Sequence, residues 1–271
     1  RMKVWDAETA AAPPEGFKSK TYGGHELPAG TLLSVQVAPD DCTGCGICVA
    51  VCPVRDKADP AHKAIDLLPA DEHRDRERPH FEYFLELPEV DRSLVRADTV
   101  KGSQLLQPLF EFSGACAGCG ETPYLKLVTQ LLGDRMVVAN ATGCSSIYGG
   151  NLPTTPWSQN AAGQGPAWAN SLFEDNAEFG LGMRLALDAQ RDLALMLVGQ
   201  MRAEIGEALA TALIEAAQDN DEQIRLQRER VKQLKVALST RQSPEAGRLL
   251  AVADSLVVRS VWIVGGDGWA Y

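Results

Sequence analysis

The spacing of apolar and polar residues predicts few regular elements in the first third of the chain. Residues 1 to about 30 are rich in Pro, Gly and Ala, which is typical of loop with little regular structure. Leu32 to Val37 predicts a short strand, Ile47 to Val51 one helical turn, and Ala64 to Leu68 a return strand. The mixed-sign charge run from Asp71 to Arg78 is typical of a solvated surface loop, with a docking patch for a redox partner as the alternative.

From Gln104 onward the pattern is that of an α/β domain. Buried strands are predicted at Met136 to Ala139 and, more strongly, at Leu256 to Val264, whereas Asn140 to Asn160 is dense in Gly, Pro, Thr and Ser and predicts loop. Helices are predicted at Pro123 to Leu132, Asn176 to Leu197, Glu204 to Ala217, Gln223 to Leu238 and Ser243 to Leu250. The helix at residues 223–238 has sparse apolar residues, so we expect it to lie at the surface or to pack by one narrow stripe. We place a domain boundary near Lys101, which gives predicted domains at residues 1–100 and 101–271.

Composition restricts the classes of function that we consider. The net charge of −10 argues against binding to nucleic acid or to anionic membrane surfaces. No apolar run approaches the ~20 residues that a membrane-spanning helix needs. The cysteines number seven, an odd number, and most cluster in C-x-x-C groups, so we expect metal binding in a reducing compartment, with the cytoplasm as the default location. The histidines are predicted to be surface residues: His25, His62, His73 and His80.

The most specific motif is a run of four cysteines followed by a proline. Its residues are Cys42, Cys45, Cys48, Cys52 and Pro53. The spacing is the C-x2-C-x2-C-x3-C-P run of bacterial iron–sulfur ferredoxins, in which the fourth cysteine ligates the other cluster of a pair. Gly44 and Gly46 let backbone amides approach the inorganic sulfides at little steric cost. The motif therefore predicts a [4Fe–4S] ligand set, and a zinc site or a disulfide pair fits this order of cysteines poorly.

The remaining cysteines do not complete these clusters. The first three ligands need a fourth, and Cys52 needs three partners, yet only Cys116, Cys119 and Cys144 remain. Either Cys52 joins those three and leaves the first cluster one ligand short, or the chain is a piece of a longer protein. We favour the second interpretation, since the first residue is Arg1 and not Met.

Two further motifs carry candidate chemistry. Cys116 and Cys119 lie on a glycine-rich loop before a predicted helix, and Cys144 follows a predicted buried strand. These three cysteines are candidate ligands of a cluster or of zinc, with buried structural thiols as the third possibility. Gly266-Asp267-Gly268 ends an apolar strand, at the edge where open α/β sheets bind ligands. An aspartate there can hold Mg²⁺ and glycines let a diphosphate approach, although most such tripeptides are plain turns.

Long runs of the sequence resemble the pyruvate:ferredoxin (flavodoxin) oxidoreductases, a family of 2-oxoacid:acceptor oxidoreductases. The runs are Asp41 to Pro53, Gly114 to Pro123, Ala141 to Pro156, Gly165 to Met183 and Gly266 to Ala270. The resemblance implies an α/β thiamine-diphosphate-binding domain, preceded by a partial ferredoxin-like (α+β) iron–sulfur domain. Gln164 departs from the family pattern, which has a basic residue there.

The same resemblance implies roles for individual residues. The implied [4Fe–4S] ligands are Cys42, Cys45, Cys48, Cys52, Cys116, Cys119 and Cys144. The implied contacts of thiamine diphosphate are Glu121, Cys144, Gly266, Asp267, Gly268 and Trp269. Asp267 is also the implied Mg²⁺ ligand. The missing cluster ligands and the carboxylate that activates the cofactor are expected outside this chain.

The activity implied by the resemblance is the oxidative decarboxylation of a 2-oxo acid, with pyruvate as the first candidate, to an acyl-CoA. Coenzyme A is then the co-substrate, and ferredoxin or flavodoxin accepts single electrons. We expect a cytoplasmic homodimer of the full-length protein, without nucleic-acid or membrane partners, and an inactive isolated chain. The alternatives are an enzyme acting on another 2-oxo acid, a non-enzymatic ferredoxin-like electron carrier, and a zinc-stabilised scaffold.

Overall fold

The computed structural model describes residues 1–8, 10–150, 154–266 and 269. Its contacts divide the chain into two compact units, Arg1–Leu131 and Leu132–Tyr271. The domain boundary predicted near Lys101, between domains at residues 1–100 and 101–271, stays a prediction. In the structure that position lies within a helix, Val100–Leu105.

The first unit combines a small antiparallel sheet with short helices. Its strands are β1 (Met2–Asp6), β2 (Lys20–Thr21) and β3 (Thr31–Val35), in the sheet order β1-β3-β2. Its helices are α1 (Ile47–Val51), α2 (Arg74–Glu86), α3 (Val100–Leu105) and α4 (Thr122–Leu132). The elements β3, α1 and α4 confirm the sequence predictions. The expectation of little regular structure before residue 30 is wrong in part, because β1 and β2 pair with opposite edges of β3, whereas the other described residues of this segment form loop.

Two other predictions for the first unit are wrong. Ala64 to Leu68 does not form a strand, and pairing in this region is limited to an isolated antiparallel bridge between Arg55 and Lys63. Asp71 to Arg78 is not a loop, since most of it forms the first turns of α2. The charge run has no apolar face of its own, because the buried residues of α2, His80 and Phe84, come later in the helix.

His80 corrects the prediction that every histidine lies at the surface. It is 5% exposed, and its Nε2 lies 2.9 Å from the carbonyl oxygen of Glu15. Its Nδ1 lies 3.2 Å from a carboxylate oxygen of Glu77, one turn earlier in α2. His80 therefore fastens the loop before β2 to α2, a contact between segments that are distant in sequence.

Strand β1 separates two apolar clusters, because adjacent side chains of a strand point to opposite faces. Val4 packs in one cluster with Leu105 and Leu106, and Trp5 packs in the other with Phe84. Lys3 is 1% exposed and donates hydrogen bonds to two carbonyl oxygens at the end of α2, with Nζ–O distances of 3.0 and 2.6 Å. Burial lowers the pKa of Lys3, and an ion pair with Glu89 opposes that effect.

The second unit is a parallel sheet flanked by helices. Its strands are β4 (Met136–Ala141), β5 (Ala167–Ser171) and β6 (Ser260–Val264), in the order β5-β4-β6. Its helices are α5 (Cys144–Gly149), α6 (Asn176–Gln200), α7 (Arg202–Ile205), α8 (Glu207–Ile214), α9 (Asp221–Ser239) and α10 (Pro244–Val252). Both strand pairings are parallel, which confirms a mixed α/β architecture with a parallel sheet. The predicted loop at 140–160 is wrong in part, because it contains the end of β4 and α5.

Helices α6, α8, α9 and α10 share one apolar core. The buried residues of α9 are Ile224, Gln227, Val231, Leu234 and Leu238. Their spacing of three and four residues forms one narrow stripe, as predicted. Strand β6 begins later than predicted, because Ala253–Leu256 forms a 3-10 turn. Within the ranges that the structure describes, no helix is long and apolar enough to cross a membrane.

Candidate functional site

The cysteine run forms an open loop between β3 and the end of α1. Cys42, Cys45 and Cys48 are exposed, Cys52 is half-buried, and all four are free thiols. The backbone turns at two glycines with positive φ, 68° at residue 44 and 76° at residue 46. A β-carbon at residue 44 would meet no atom within 4 Å, so this side of the loop faces open space.

An ion pair holds the start of this loop. Arg78 of α2 donates two hydrogen bonds to the carboxylate of Asp40, with N–O distances of 2.9 and 2.8 Å. This bidentate contact lowers the pKa of Asp40. Because Asp40 lies two residues before Cys42, this contact ties helix α2 to the start of the cysteine run.

The loop suits a [4Fe–4S] cluster by its chemistry. Exposed thiols provide the ligands that such clusters use, and left-handed glycines let backbone amides face inorganic sulfide. Among the described residues, no three side chains of His, Cys, Asp or Glu gather in the way that a single metal ion requires.

The loop that bears Cys116 and Cys119 packs against α1. The amide of Cys119 donates a hydrogen bond to the carbonyl of Cys116 at 3.0 Å, and Gly118 between them has a φ of 73°. A β-carbon on Gly118 would lie 3.0 Å from Cδ1 of Ile47, the first residue of α1. Both segments belong to the first unit, and this contact places the loop of Cys116 and Cys119 against the helix that contains Cys48. Sequence reasoning missed this contact, for which no local pattern gives a signal.

Glu121 lies at the start of α4, where its carbonyl accepts hydrogen bonds from the amides of Tyr124 and Leu125 at 3.1 and 3.4 Å. Its Oε1 is buried, and within the described part of the chain it has no hydrogen-bond partner. A buried carboxylate oxygen without a donor costs free energy. The side chain is therefore suited to receive a donor from a bound group, which fits its predicted contact with thiamine diphosphate.

The carboxyl ends of the parallel strands bring other predicted site residues together. Strand β4 ends at Ala141, and α5 begins at Cys144, which is exposed. A β-carbon on Gly265, just after β6, would lie 3.0 Å from Cβ of Ala141 and 2.8 Å from a ring carbon of Trp269. A β-carbon on Gly266 would meet nothing within 4 Å. Asp267 and Gly268, the predicted Mg²⁺ ligand and its neighbour, lie outside the described residues.

A buried asparagine holds this edge of the sheet. Asn176, the first residue of α6, is 0% exposed. Its Nδ2 lies 3.1 Å from the carbonyl oxygen of Val264 in β6 and 3.4 Å from that of Ala139 in β4. Its Oδ1 lies 2.9 Å from Oγ of Ser171 in β5. One side chain thus joins all three strands where the candidate ligand-binding loops leave the sheet.

A second polar contact links β4 and β5 at the same level. Nδ2 of Asn140 lies 2.8 Å from Oδ1 of Asn170, and Nδ2 of Asn170 lies 3.1 Å from Oγ1 of Thr142. Sequence reasoning assigned no role to these residues. The available signal was an asparagine inside an apolar strand, because a polar side chain there needs partners.

The structure leaves one predicted ligand set undecided. Cys116 and Cys119 belong to the first unit and Cys144 to the second. Their shared cluster therefore stays a prediction, as does each residue's predicted contact with thiamine diphosphate.

Comparisons with known proteins identify the cysteine run and the relatives of the whole chain. Residues 35–55 match the family model described as a 4Fe-4S binding domain. The chain is 53% identical over 275 aligned residues to a pyruvate-flavodoxin oxidoreductase of Trichormus variabilis, and 52% identical over 272 residues to one of Rhodospirillum rubrum. Both alignments cover 100% of this chain and 23% of the relative.

A third relative is the pyruvate:ferredoxin oxidoreductase of Moorella thermoacetica, 47% identical over 268 residues, which are 96% of this chain and 22% of that protein. The chain therefore spans less than a quarter of the length of these relatives. The similarities confirm the resemblance that the sequence motifs predicted, and the matched cysteine run supports [4Fe–4S] chemistry.

Proposed function

We propose that the chain is the segment of a 2-oxoacid oxidoreductase that takes electrons from oxidative decarboxylation and passes them toward ferredoxin or flavodoxin. Pyruvate is the proposed substrate, coenzyme A the co-substrate and acetyl-CoA the product. The observation that carries this proposal is the similarity of the whole chain to proteins named pyruvate-flavodoxin oxidoreductase, with 53% and 52% of the aligned residues identical. The full-length protein is proposed to be a cytoplasmic homodimer.

The proposed electron path uses the cysteines of both loops. The thiolates of Cys116, Cys119 and Cys144 would hold the cluster that accepts electrons first, and the ferredoxin-like loop would carry them onward. The contact between Gly118 and Ile47 supports passage between these two sites, because it brings the loop of Cys116 and Cys119 against α1, which contains Cys48. One-electron carriers of low potential suit a strongly reducing decarboxylation step.

Residues 101–271 are proposed to be part of a thiamine-diphosphate-binding domain. When bound, thiamine diphosphate supplies the nucleophilic carbon for the keto group and the electron sink for loss of CO₂. Glu121 offers a buried carboxylate oxygen that lacks a donor among the described residues. Gly266 and Gly268 would let the diphosphate approach the backbone, Asp267 would hold Mg²⁺, and Trp269 would line the same loop. Cys144 would be both a cluster ligand and a neighbour of the cofactor.

Replacing Cys144 tests the link between decarboxylation and electron transfer. In the full-length enzyme, prepared without oxygen, Cys144→Ala should lose the iron of one cluster and abolish reduction of the acceptor. Iron, labile sulfide and thiamine diphosphate content are measured beside the rate, with the unmodified enzyme as control. Acceptor reduction near the normal rate would contradict the role of Cys144.

Metal content separates the proposal from its rivals. Iron with matching labile sulfide in the unmodified full-length protein supports electron transfer, whereas zinc without sulfide would leave a structural metal module. Full clusters without binding of thiamine diphosphate would support a ferredoxin-like carrier instead. Turnover of a panel of 2-oxo acids would decide whether pyruvate is the substrate.

A further inference from the structure

Lys63 contacts the end of the helix that carries a predicted cluster ligand. Its Nζ lies 2.5 Å from the carbonyl oxygen of Val49 and 3.1 Å from that of Ala50. Both carbonyls belong to the last turn of α1, which ends at Val51. The carbonyl of Val49 also accepts a hydrogen bond from the amide of Cys52 at 3.3 Å, and the carbonyls of a last helical turn can take a further donor from a lysine.

The backbone around Lys63 keeps the ammonium in this place. Lys63 forms the isolated antiparallel bridge with Arg55, just beyond the cysteine run. Its amide nitrogen lies 3.4 Å from a carboxylate oxygen of Asp66, and that carboxylate is also paired with His62 at 2.9 Å. The side chain therefore starts from a fixed segment and is half-buried along its length.

The charge of Lys63 is not neutralised by an acidic side chain. Throughout the described residues, no carboxylate lies within ion-pair distance of its Nζ, and the ammonium instead contacts backbone oxygens. Val49 follows Cys48 directly, and Ala50 is separated from Cys52 by one residue. The positive charge thus lies on the backbone that connects ligands of two predicted clusters.

We propose that Lys63 positions α1 and raises the reduction potential of the clusters that Cys48 and Cys52 ligate. This inference rests on the proposed function, since it requires those clusters. Reduction adds an electron to the cluster, and a nearby fixed positive charge stabilises the more negative form. Removing that charge should make reduction harder and slow the onward passage of electrons.

Redox titration of the full-length enzyme followed by electron paramagnetic resonance tests the proposal. Lys63→Gln and Lys63→Met should shift the midpoint potential of at least one reduced-cluster signal to more negative values. Lys63→Arg should stay close to the unmodified enzyme, because it keeps the charge and can still donate to the carbonyls. Lys57→Gln is the matched control, since Lys57 is an exposed lysine of the same segment.

Three results of the titration would contradict the effect of Lys63 on the reduction potential, and a fourth would contradict the proposed function. Unshifted midpoints in both neutral variants, at normal iron and sulfide content, would overturn the proposal, and so would an equal shift in Lys57→Gln. Loss of clusters from both neutral variants with normal loading of Lys63→Arg would also overturn the effect on potential and leave a purely structural cap. Absence of iron and labile sulfide from the unmodified enzyme would instead contradict the proposed function itself.

Discussion

Alanine substitutions at two glycines of α6 should change the stability of the second unit in opposite directions. Gly180 faces the sheet: its β-carbon would lie 2.5 Å from Cγ1 of Ile263 and 3.5 Å from Cβ of Ala139. Gly182, two residues later, has no atom within 4 Å of its β-carbon position. Strand β6 leads directly into Gly265 and Gly266 of the proposed cofactor loop. The packing of α6 on β6 therefore supports the start of that loop.

The expected free energies follow from two opposing effects. Alanine is favoured over glycine in a helix interior by about 0.5–1 kcal/mol, so Gly182→Ala should raise the free energy of unfolding by that amount. Extra atoms that meet a packed neighbour cost about 1–3 kcal/mol, but Ile263 is 43% exposed and can shift to relieve part of that cost. Gly180→Ala combines both effects, and its net result should be a loss of up to about 1 kcal/mol.

Urea unfolding of the chain, followed by tryptophan fluorescence and far-ultraviolet circular dichroism, measures these differences. The double variant Gly180→Ala with Ile263→Ala provides the rescue, because it removes the side-chain atoms that the new methyl group meets. In the Ile263→Ala background, Gly180→Ala should become neutral or stabilising. Equal stabilisation by Gly180→Ala and Gly182→Ala in the unmodified background would refute the close packing of α6 on β6.

Three other predictions concern polar contacts and the cluster loops. Asn176→Ala leaves strand carbonyls without their side-chain donor and should lower the free energy of unfolding by about 1–3 kcal/mol; an unchanged urea midpoint would contradict the role of this residue. Hydrogen bonds from Tyr22, then from the backbone amide of Glu26 and then from Lys101 lower the pKa of Glu26 from 4.5 to about 2, so its contribution to stability is complete above pH 4.5 and lost as the pH falls toward 2. Glu26→Gln should therefore flatten the loss of stability over that pH range, and an unaltered pH profile would count against the contact. Gly118→Ala places a methyl group 3.0 Å from Ile47 at a φ of 73° and should lower the iron content of the full-length enzyme, measured beside Gly163→Ala, a control with similar φ and open space; equal iron content in both variants would argue against the contact.

Local sequence determined the features that depend on near neighbours. The cysteine run predicted [4Fe–4S] chemistry because its thiols lie within a few residues of one another, and the family match at residues 35–55 supports that prediction. Apolar spacing revealed α4, α6 and α9 because helical periodicity is repeated within each segment. The carboxyl edge of a parallel sheet was also predictable, since a strongly apolar strand leads directly into the glycines at 265–266.

Only the tertiary structure decided which distant segments meet. Strands β1 and β2 are short and show no clear alternation of apolar and polar residues. They form because β3 supplies their hydrogen-bonding partners. Ile47 packs near Gly118, and Asn176 hydrogen-bonds to residues of three strands. Both contacts join distant parts of the chain, so no local sequence pattern predicts them. The cysteine pattern thus specified the chemistry of the ligands, whereas long-range contacts decided how the ligand loops are supported. The physical reason is that periodicity and ligand spacing act over a few residues, whereas buried polar contacts and close packing join residues from separate parts of the sequence.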